Sequence, residues 1–84
     1  LIYYSLAQAY EANNEIDKAI SNYLKAIAVN DKFTLAHKKV GILFLAREDY
    51  SDAIEYFENY LGFDIPQEEK ENIEKLIERV RAKL

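Results

Sequence analysis

The sequence predicts an all-α protein, an α-solenoid of two antiparallel helix pairs followed by a capping helix. The chain repeats its pattern of side-chain sizes at an offset of 34 residues. Apolar residues recur at helical spacing within each copy, and the segment after the second copy is amphipathic. Internal repeats with a period of about 20–50 residues are typical of solenoids, in which each unit buries its apolar face against its neighbours.

The repeat is clearest between DKAISNYLKAIAVN, residues 17–30, and SDAIEYFENYLGFD, residues 51–64. Small residues meet small ones, aromatic residues meet aromatic ones and aliphatic residues meet aliphatic ones. The matched pairs are Leu6 with Val40, Ala7 with Gly41, Tyr10 with Phe44, Ala19 with Ala53, Ile20 with Ile54, Tyr23 with Phe57 and Ile27 with Leu61. We therefore predict a first repeat over 1–33, a second over 34–65 and a capping helix over 66–84.

Each repeat divides into two helical stretches. In the first stretch, apolar residues fall at i, i+3, i+4 and i+7 from Tyr3, and in the second they show the same spacing from Ile16. This spacing marks one face of a helix. With the capping segment, five helices are predicted, over 1–13, 17–30, 34–47, 51–63 and 67–83. All neighbouring helices are expected to run antiparallel.

The turn of the first repeat is ANNE, residues 12–15, in which Asn13 or Asn14 can take a positive φ. Asp17 is predicted as the N-cap of the helix that follows, and Ser51 as the N-cap of its counterpart, because both residue types are favoured there.

The capping segment has polar ends that suit a helix. Pro66 is suited to the first helical position, and acidic residues near the start with basic residues near the end complement the helix dipole. Its other face is charged throughout, which is typical of the helix that closes a solenoid. The apolar stripe consists of Ile73, Leu76, Ile77, Val80 and Leu84.

Composition excludes several functions. The net charge is −4 with acids and bases interspersed, so phosphate backbones are repelled and nucleic acid is not an expected partner. The absence of cysteine excludes disulfides and thiol chemistry, and a single histidine makes a zinc site unexpected. The longest apolar run, residues 40–46, is too short for a bilayer, and five acids in the capping segment disfavour a membrane-surface role. No signal peptide or initiating methionine is visible, so we expect a piece of a longer repeat protein.

The two copies resemble the tetratricopeptide repeat (TPR). That motif has a large residue, Leu, Gly or Ala, and Tyr on its first helix, then Ala, an aromatic residue and Ala on its second. The first copy has Tyr3, Leu6, Ala7, Tyr10, Ala19, Tyr23 and Ala26 at these positions, and the second has His37, Val40, Gly41, Phe44, Ala53, Phe57 and Tyr60. The resemblance covers about residues 1–65. It implies a right-handed solenoid whose concave surface is lined by the first helix of each repeat.

The chain departs from the TPR pattern at several positions. Glu48 stands where the turn usually has Gly, so we expect that turn to be strained or differently shaped. Asp31 and Ile65 stand where Pro is common. Tyr60 replaces a small residue, and we hypothesise that its bulk displaces the apolar stripe of the capping helix by two residues.

Catalytic candidates are weak. His37 stands where the TPR motif places a bulky packing residue, and we interpret it as a partly buried packing histidine. The carboxylate pairs on helix faces, such as Glu55 with Glu58, are typical of solvated surface charge. With no Gly-rich phosphate loop and no nucleophile pattern, we expect neither an enzyme nor a cofactor or metal.

The resemblance implies that the concave surface is lined by Tyr4, Ser5, Gln8, Glu11 and Ala12 from the first repeat and by Leu35, Lys38, Lys39, Ile42 and Leu45 from the second. The candidate partner-binding residues are Tyr4, Gln8, Leu35, Lys38, Lys39, Ile42 and Leu45. Three apolar residues on a face that the core leaves free indicate an interface. The two lysines either receive an acidic group or C-terminal carboxylate of a peptide, or form a solvated pair.

Two functions are carried forward. The first is a scaffold that binds a peptide or protein segment in the concave groove. Tyr4 and Gln8 occupy positions where the carboxylate clamp of chaperone-binding TPR proteins has Lys and Asn, so that ligand class is disfavoured. The alternative is self-assembly, because two repeats fall below the roughly three that stabilise a solenoid. Helix pairing through the exposed start of the first helix, residues 1–4, would then join two copies.

Overall fold

The computed structural model describes residues 1–84 as five α-helices without a strand. The helices, α1 to α5, span Ile2–Ala12, Ile16–Val29, Thr34–Ala46, Tyr50–Leu61 and Gln67–Arg81. Each helix packs against the next one in the chain, and contact is most extensive within the pairs α1–α2 and α3–α4. The predicted all-α class and the five helices are confirmed, and no helix end differs from its predicted position by more than two residues. The handedness of the stack stays a prediction.

Small residues allow the helices of each pair to approach closely. Ala7 on α1 and Ala19 on α2 are fully buried, as is Ala53 on α4. A side chain at Gly41 on α3 would overlap the buried ring of Phe57 on α4. These contacts occur at matched positions of the two repeats, so the repeated size pattern corresponds to repeated helix packing.

The core consists of two clusters joined by the partly buried ring of Phe44. The first cluster lies among α1, α2 and α3 and contains Ala7, Ala19, Ile20, Tyr23, Val40 and Leu43. The second lies between α4 and α5 and contains Ala53, Ile54, Phe57, Tyr60, Ile73, Ile77 and Val80. A linear sequence of clusters is what a stack of helix pairs produces, because each element buries its apolar face only against its neighbours.

The turns within the two repeats, between α1 and α2 and between α3 and α4, share a left-handed residue at matched positions. Asn14 has a φ of 60° and Glu48, which lies 34 residues later, has a φ of 65°. In both turns the next amide bonds back to the preceding helix, from Glu15 N to Tyr10 O at 2.8 Å and from Asp49 N to Phe44 O at 2.9 Å. The turn at Glu48 is therefore shaped like the first turn. Of the two alternatives expected for this turn, strained or differently shaped, the turn is strained. A left-handed conformation costs an ordinary L-residue roughly 1–2 kcal/mol.

The predicted N-caps are wrong. α2 and α4 begin at Ile16 and Tyr50, so Asp17 and Ser51 lie inside the first turn. The N-caps are Glu15 and Asp49, two residues before the predicted ones. The carboxylate of Asp17 still lies near the positive end of the helix dipole. Pro66 was predicted at the first helical position of α5, but it is the N-cap, and the helix begins at Gln67.

The predicted apolar faces are buried except where the stack ends. On α5, Ile73, Ile77 and Val80 are buried. Leu84 is 69% exposed because the helix already ends at Arg81. On α1, Leu6 is 43% exposed although its counterpart Val40 is fully buried. Leu6 was expected to pack like Val40, and this expectation is wrong. Tyr3, which was expected to be exposed at the start of the first helix, is 39% exposed. The displacement of the α5 stripe by Tyr60 stays a hypothesis.

Candidate interaction surfaces

Three of the predicted groove residues are free to meet a partner. Leu35 and Ile42 on α3 are 46% and 40% exposed. They lie seven residues apart, which places them two helical turns apart on the same side of α3. Gln8 on α1 is also exposed. We call these three residues the α1–α3 surface.

Two other predicted groove residues are mainly packing residues. Tyr4 is half-buried, and its ring lies edge-on to Tyr23 at 5.4 Å between centroids and against Phe33 at 4.6 Å. Burial, followed by the nearby carboxylate of Glu11, raises the pKa of Tyr4 above its ordinary value. Leu45 is half-buried against the α4–α5 core cluster. Changing either residue would disturb helix packing as well as the surface.

Lys38 is paired with a carboxylate of the capping helix. Its Nζ donates to Oε2 of Glu69 on α5, and the hydroxyl of Tyr60 donates to the same oxygen at 2.8 Å. The hydrogen bonds from Lys38 and Tyr60 hold the pKa of Glu69 below its ordinary value. Burial and the bond to Glu69 raise the pKa of Tyr60 to about 12. This triad ties α3, α4 and α5 together.

Lys39 belongs to a second triad of the same composition. Its Nζ lies 3.8 Å from Oε1 of Glu11 on α1, and the hydroxyl of Tyr23 donates to that oxygen at 2.6 Å. Burial and the bond to Glu11 raise the pKa of Tyr23 well above its ordinary range. Each lysine thus faces a carboxylate of the chain itself, while about a third of each lysine side chain is exposed. The sequence did not indicate Glu69 as the partner of Lys38. As an acidic residue near the start of the capping helix, Glu69 was expected only to complement the helix dipole.

His37 is buried on α3. Its Nε2 lies 2.9 Å from the carbonyl oxygen of Asp31, so this nitrogen donates, and its ring lies against Phe63 at 5.1 Å. Nδ1 is buried without a hydrogen-bond partner. These contacts agree with the expected packing role. No group of three His, Cys, Asp or Glu side chains lies together in a way that could hold a metal ion.

A further exposed apolar surface lies on α1. We define the α1 outer face as Ile2, Leu6 and Ala9, with Leu1 beside them. Ile2 is 75% exposed. With Ser5, these residues line an open depression of about 440 Å³. A second depression of about 300 Å³ lies next to it between α1 and the end of α2, where Ala26, Val29 and Phe33 contribute to its wall.

Comparisons with protein families and curated proteins do not assign the chain to a family. A scan against protein-family models finds no match, and a search of the curated proteins also finds none. None of the five helices combines the length and the apolarity that a bilayer crossing requires. What the chain does must therefore follow from its own surfaces.

Proposed function

We propose that the chain is a protein–protein interaction scaffold that binds a peptide or protein segment across α1 and α3. The observation that carries this proposal is the pair Leu35 and Ile42, two exposed aliphatic side chains aligned along one side of α3. Neither belongs to a core cluster, whereas Val40 and Leu43 on α3 pack inward. Apolar side chains that the fold does not need, gathered on one face, are typical of an interface.

The spacing of the pair suggests the form of the ligand. Seven residues of helix correspond to roughly 10 Å along α3, at about 1.5 Å per residue. An extended peptide covers that distance in about three residues, at roughly 3.3 Å each. Since alternate side chains of an extended peptide share one face, we propose a ligand with two apolar side chains two or four residues apart, spacings that bracket this distance. We propose that the exposed amide of Gln8 bonds to the ligand's backbone and fixes the ligand's orientation.

The triads of Lys38 and Lys39 narrow the ligand further. Each lysine already faces a carboxylate, Glu69 or Glu11. Because these carboxylates already offset part of the charge of each lysine, an acidic ligand would gain less from pairing with Lys38 or Lys39 than with unpaired lysines. We propose that apolar contacts dominate and that binding depends only weakly on salt.

The resemblance to TPR proteins supports a binding role, because it implies that the first helices of the repeats, α1 and α3, line the concave side of a right-handed stack. Binding rather than catalysis is also proposed because the α1–α3 surface has no nucleophile with an adjacent base. The negative net charge makes protein segments the proposed partners in preference to nucleic acid.

Selection from a displayed peptide library followed by calorimetric titration tests the proposal. Selected peptides should have two apolar residues at the stated spacing. The double change of Leu35→Ser and Ile42→Ser should weaken their binding roughly tenfold or more, because two partly exposed aliphatic contacts are lost. Leu84→Ser is the matched control, since Leu84 is exposed and lies outside the groove. Equal losses in the double variant and the control, or no selectable peptide, would refute the proposed surface.

A further inference from the structure

Lys39 lies between the two apolar side chains that carry the proposed binding surface. It follows Leu35 by four residues and precedes Ile42 by three, so the three residues share one side of α3. With roughly 100° of rotation per residue, Lys39 stands about 40° to one side of Leu35, and Lys38 about 60° to the other. The carboxylate that faces Lys39 belongs to α1 and the one that faces Lys38 belongs to α5. Lys39 therefore flanks the apolar pair on the side of α1.

The ammonium group of Lys39 has no hydrogen-bond acceptor within the chain. Its Nζ lies 3.8 Å from Oε1 of Glu11, which is longer than a hydrogen bond. No other side-chain hydrogen bond of the protein involves Lys39. Lys38 differs, because its Nζ donates directly to Glu69. The N–H donors of Lys39 are thus available to a ligand.

The position of Lys39 is nevertheless constrained by its neighbours. Oε1 of Glu11 accepts a hydrogen bond from the hydroxyl of Tyr23, whose side chain is fully buried, so the counter-charge beside Lys39 is held in place. The Lys39 side chain is 32% exposed, which leaves its tip accessible while most of its stem is covered. A side chain that is already partly ordered loses less conformational entropy when it binds a ligand.

An extended ligand presents main-chain carbonyl groups sideways. Its side chains point alternately towards and away from the surface, whereas its C=O groups point roughly perpendicular to the strand, as they do in a sheet. If two ligand side chains rest on Leu35 and Ile42, the carbonyl groups on one flank point towards α1, where Lys39 stands. When those side chains are two residues apart, the side chain between them points away from α3. The main-chain carbonyl is then the acceptor that Lys39 can reach.

We infer that Lys39 donates a hydrogen bond to a main-chain carbonyl of the bound segment, between its two apolar side chains. This inference rests on the proposed peptide-binding function and assigns that site its central polar contact. Every ligand residue has a main-chain carbonyl, and Glu11 already offsets part of the charge of Lys39. The contact therefore fixes the position of an extended segment along α3 without requiring an acidic sequence, and the apolar contacts with Leu35 and Ile42 select the side chains.

Calorimetric titration of a library-selected peptide gives the first test. The peptide must first lose affinity for the double variant Leu35→Ser, Ile42→Ser, which establishes the groove independently of Lys39. Lys39→Met keeps the length of the side chain but removes its donors, and it should weaken binding about fivefold or more. Lys39→Arg retains donors and should bind more tightly than Lys39→Met. Lys75→Met is the matched control, because it removes an exposed lysine of α5 and should bind like the wild type. Circular dichroism confirms that each variant is folded.

Ester replacement in the peptide identifies the acceptor. Each amide between the two apolar residues is replaced in turn by an ester, whose carbonyl is a weaker acceptor. One replacement should weaken binding to the wild type and have a much smaller effect on Lys39→Met, because the bond to Lys39 is already absent there. The N–H group that an ester also lacks is lost equally in both titrations, so the difference between them reports the carbonyl.

The outcomes that overturn the inference differ from those that overturn the proposed function. If Lys39→Met binds as tightly as the wild type although the double serine variant has lost affinity, the groove exists but Lys39 does not bind the ligand. Equal ester effects in both proteins would also overturn the inference. So would selected peptides that share an acidic residue between the apolar ones and lose affinity steeply with salt, because Lys39 would then bind a carboxylate. If no peptide is selected, the proposed function fails and the inference fails with it.

Discussion

Replacement of Gly41 by alanine should destabilise the protein. A Cβ at this position would lie 2.7 Å from Cε1 and 2.8 Å from Cδ1 of Phe57. Both distances are well below van der Waals contact, and the Phe57 side chain is fully buried, so the ring cannot move without displacing its neighbours. Overpacking of this kind costs about 1–3 kcal/mol. The higher helix propensity of alanine returns up to about 1 kcal/mol. Because distances below 3.0 Å force the buried ring to shift, the overpacking cost should fall in the upper part of that range. We therefore expect a net loss of about 1–2 kcal/mol in the free energy of unfolding.

Urea denaturation of the wild type and two variants measures this effect. Gly62→Ala is the matched control, because Gly62 is the only other glycine and has a φ of −74°, which alanine adopts readily. A Cβ there meets only the carbonyl oxygen of Asn59, at 3.3 Å. We expect that variant to be unchanged or slightly stabilised.

Phe57→Leu supplies a second check on the same contact. A smaller side chain at position 57 leaves room for the added methyl group, so the cost of Gly41→Ala should fall in that background. The coupling between the two changes should be about 0.5–3 kcal/mol, the range found for residues in contact. If Gly41→Ala is as stable as the wild type, α3 and α4 do not approach as closely as described, and the packing explanation of the repeated small residues fails.

Further outcomes concern the turns and the charged triads. Glu48→Gly should stabilise the protein by about 1 kcal/mol, because glycine adopts the left-handed backbone without strain. Asn14→Gly should stabilise it less, because asparagine tolerates that conformation better. Urea denaturation compares the two variants, and equal gains in stability would contradict the strain assigned to Glu48. The pKa of Glu69 is lower in the folded than in the unfolded protein, so its ionised carboxylate stabilises the fold above the unfolded pKa. This stabilisation is lost as the pH falls through the folded pKa. Glu69→Gln should therefore flatten the acidic limb of a plot of stability against pH. Lys38→Met should flatten the same limb, because Lys38 is the first cause of that shift, and an unaltered limb in both variants would contradict the triad. Tyr60→Phe should cost about 1 kcal/mol at neutral pH through loss of the bond to Glu69, and stability equal to the wild type would show that the bond contributes nothing.

The sequence was sufficient for the features that depend on local pattern. Helical spacing and the 34-residue offset placed all five helices to within two residues, and the turn residue Asn14 was one of two named candidates for a positive φ. The helix starts were less accurate. Cap preferences name favoured residue types, but Glu15 and Asp49 stand at the N-caps in place of Asp17 and Ser51.

Features that depend on neighbours outside the repeat pattern could not be predicted. The carboxylate partner of Lys38 comes from α5, which does not follow the 34-residue pattern, so the offset gave no counterpart to align. The exposure of Leu6 was missed for a related reason. Its position matches a buried one in the second repeat, but the pattern does not tell whether a covering helix is present. Three of the seven candidate groove residues, Gln8, Leu35 and Ile42, remain free to contact a partner.

The proposed binding surface is tested most directly by nuclear magnetic resonance titration of the isotope-labelled protein with a selected peptide. We predict that amide shifts change along the exposed sides of α1 and α3, with the largest changes around Gln8, Leu35 and Ile42. Changes confined to the α1 outer face, or to α4 and α5, would contradict a groove between the first helices of the two repeats.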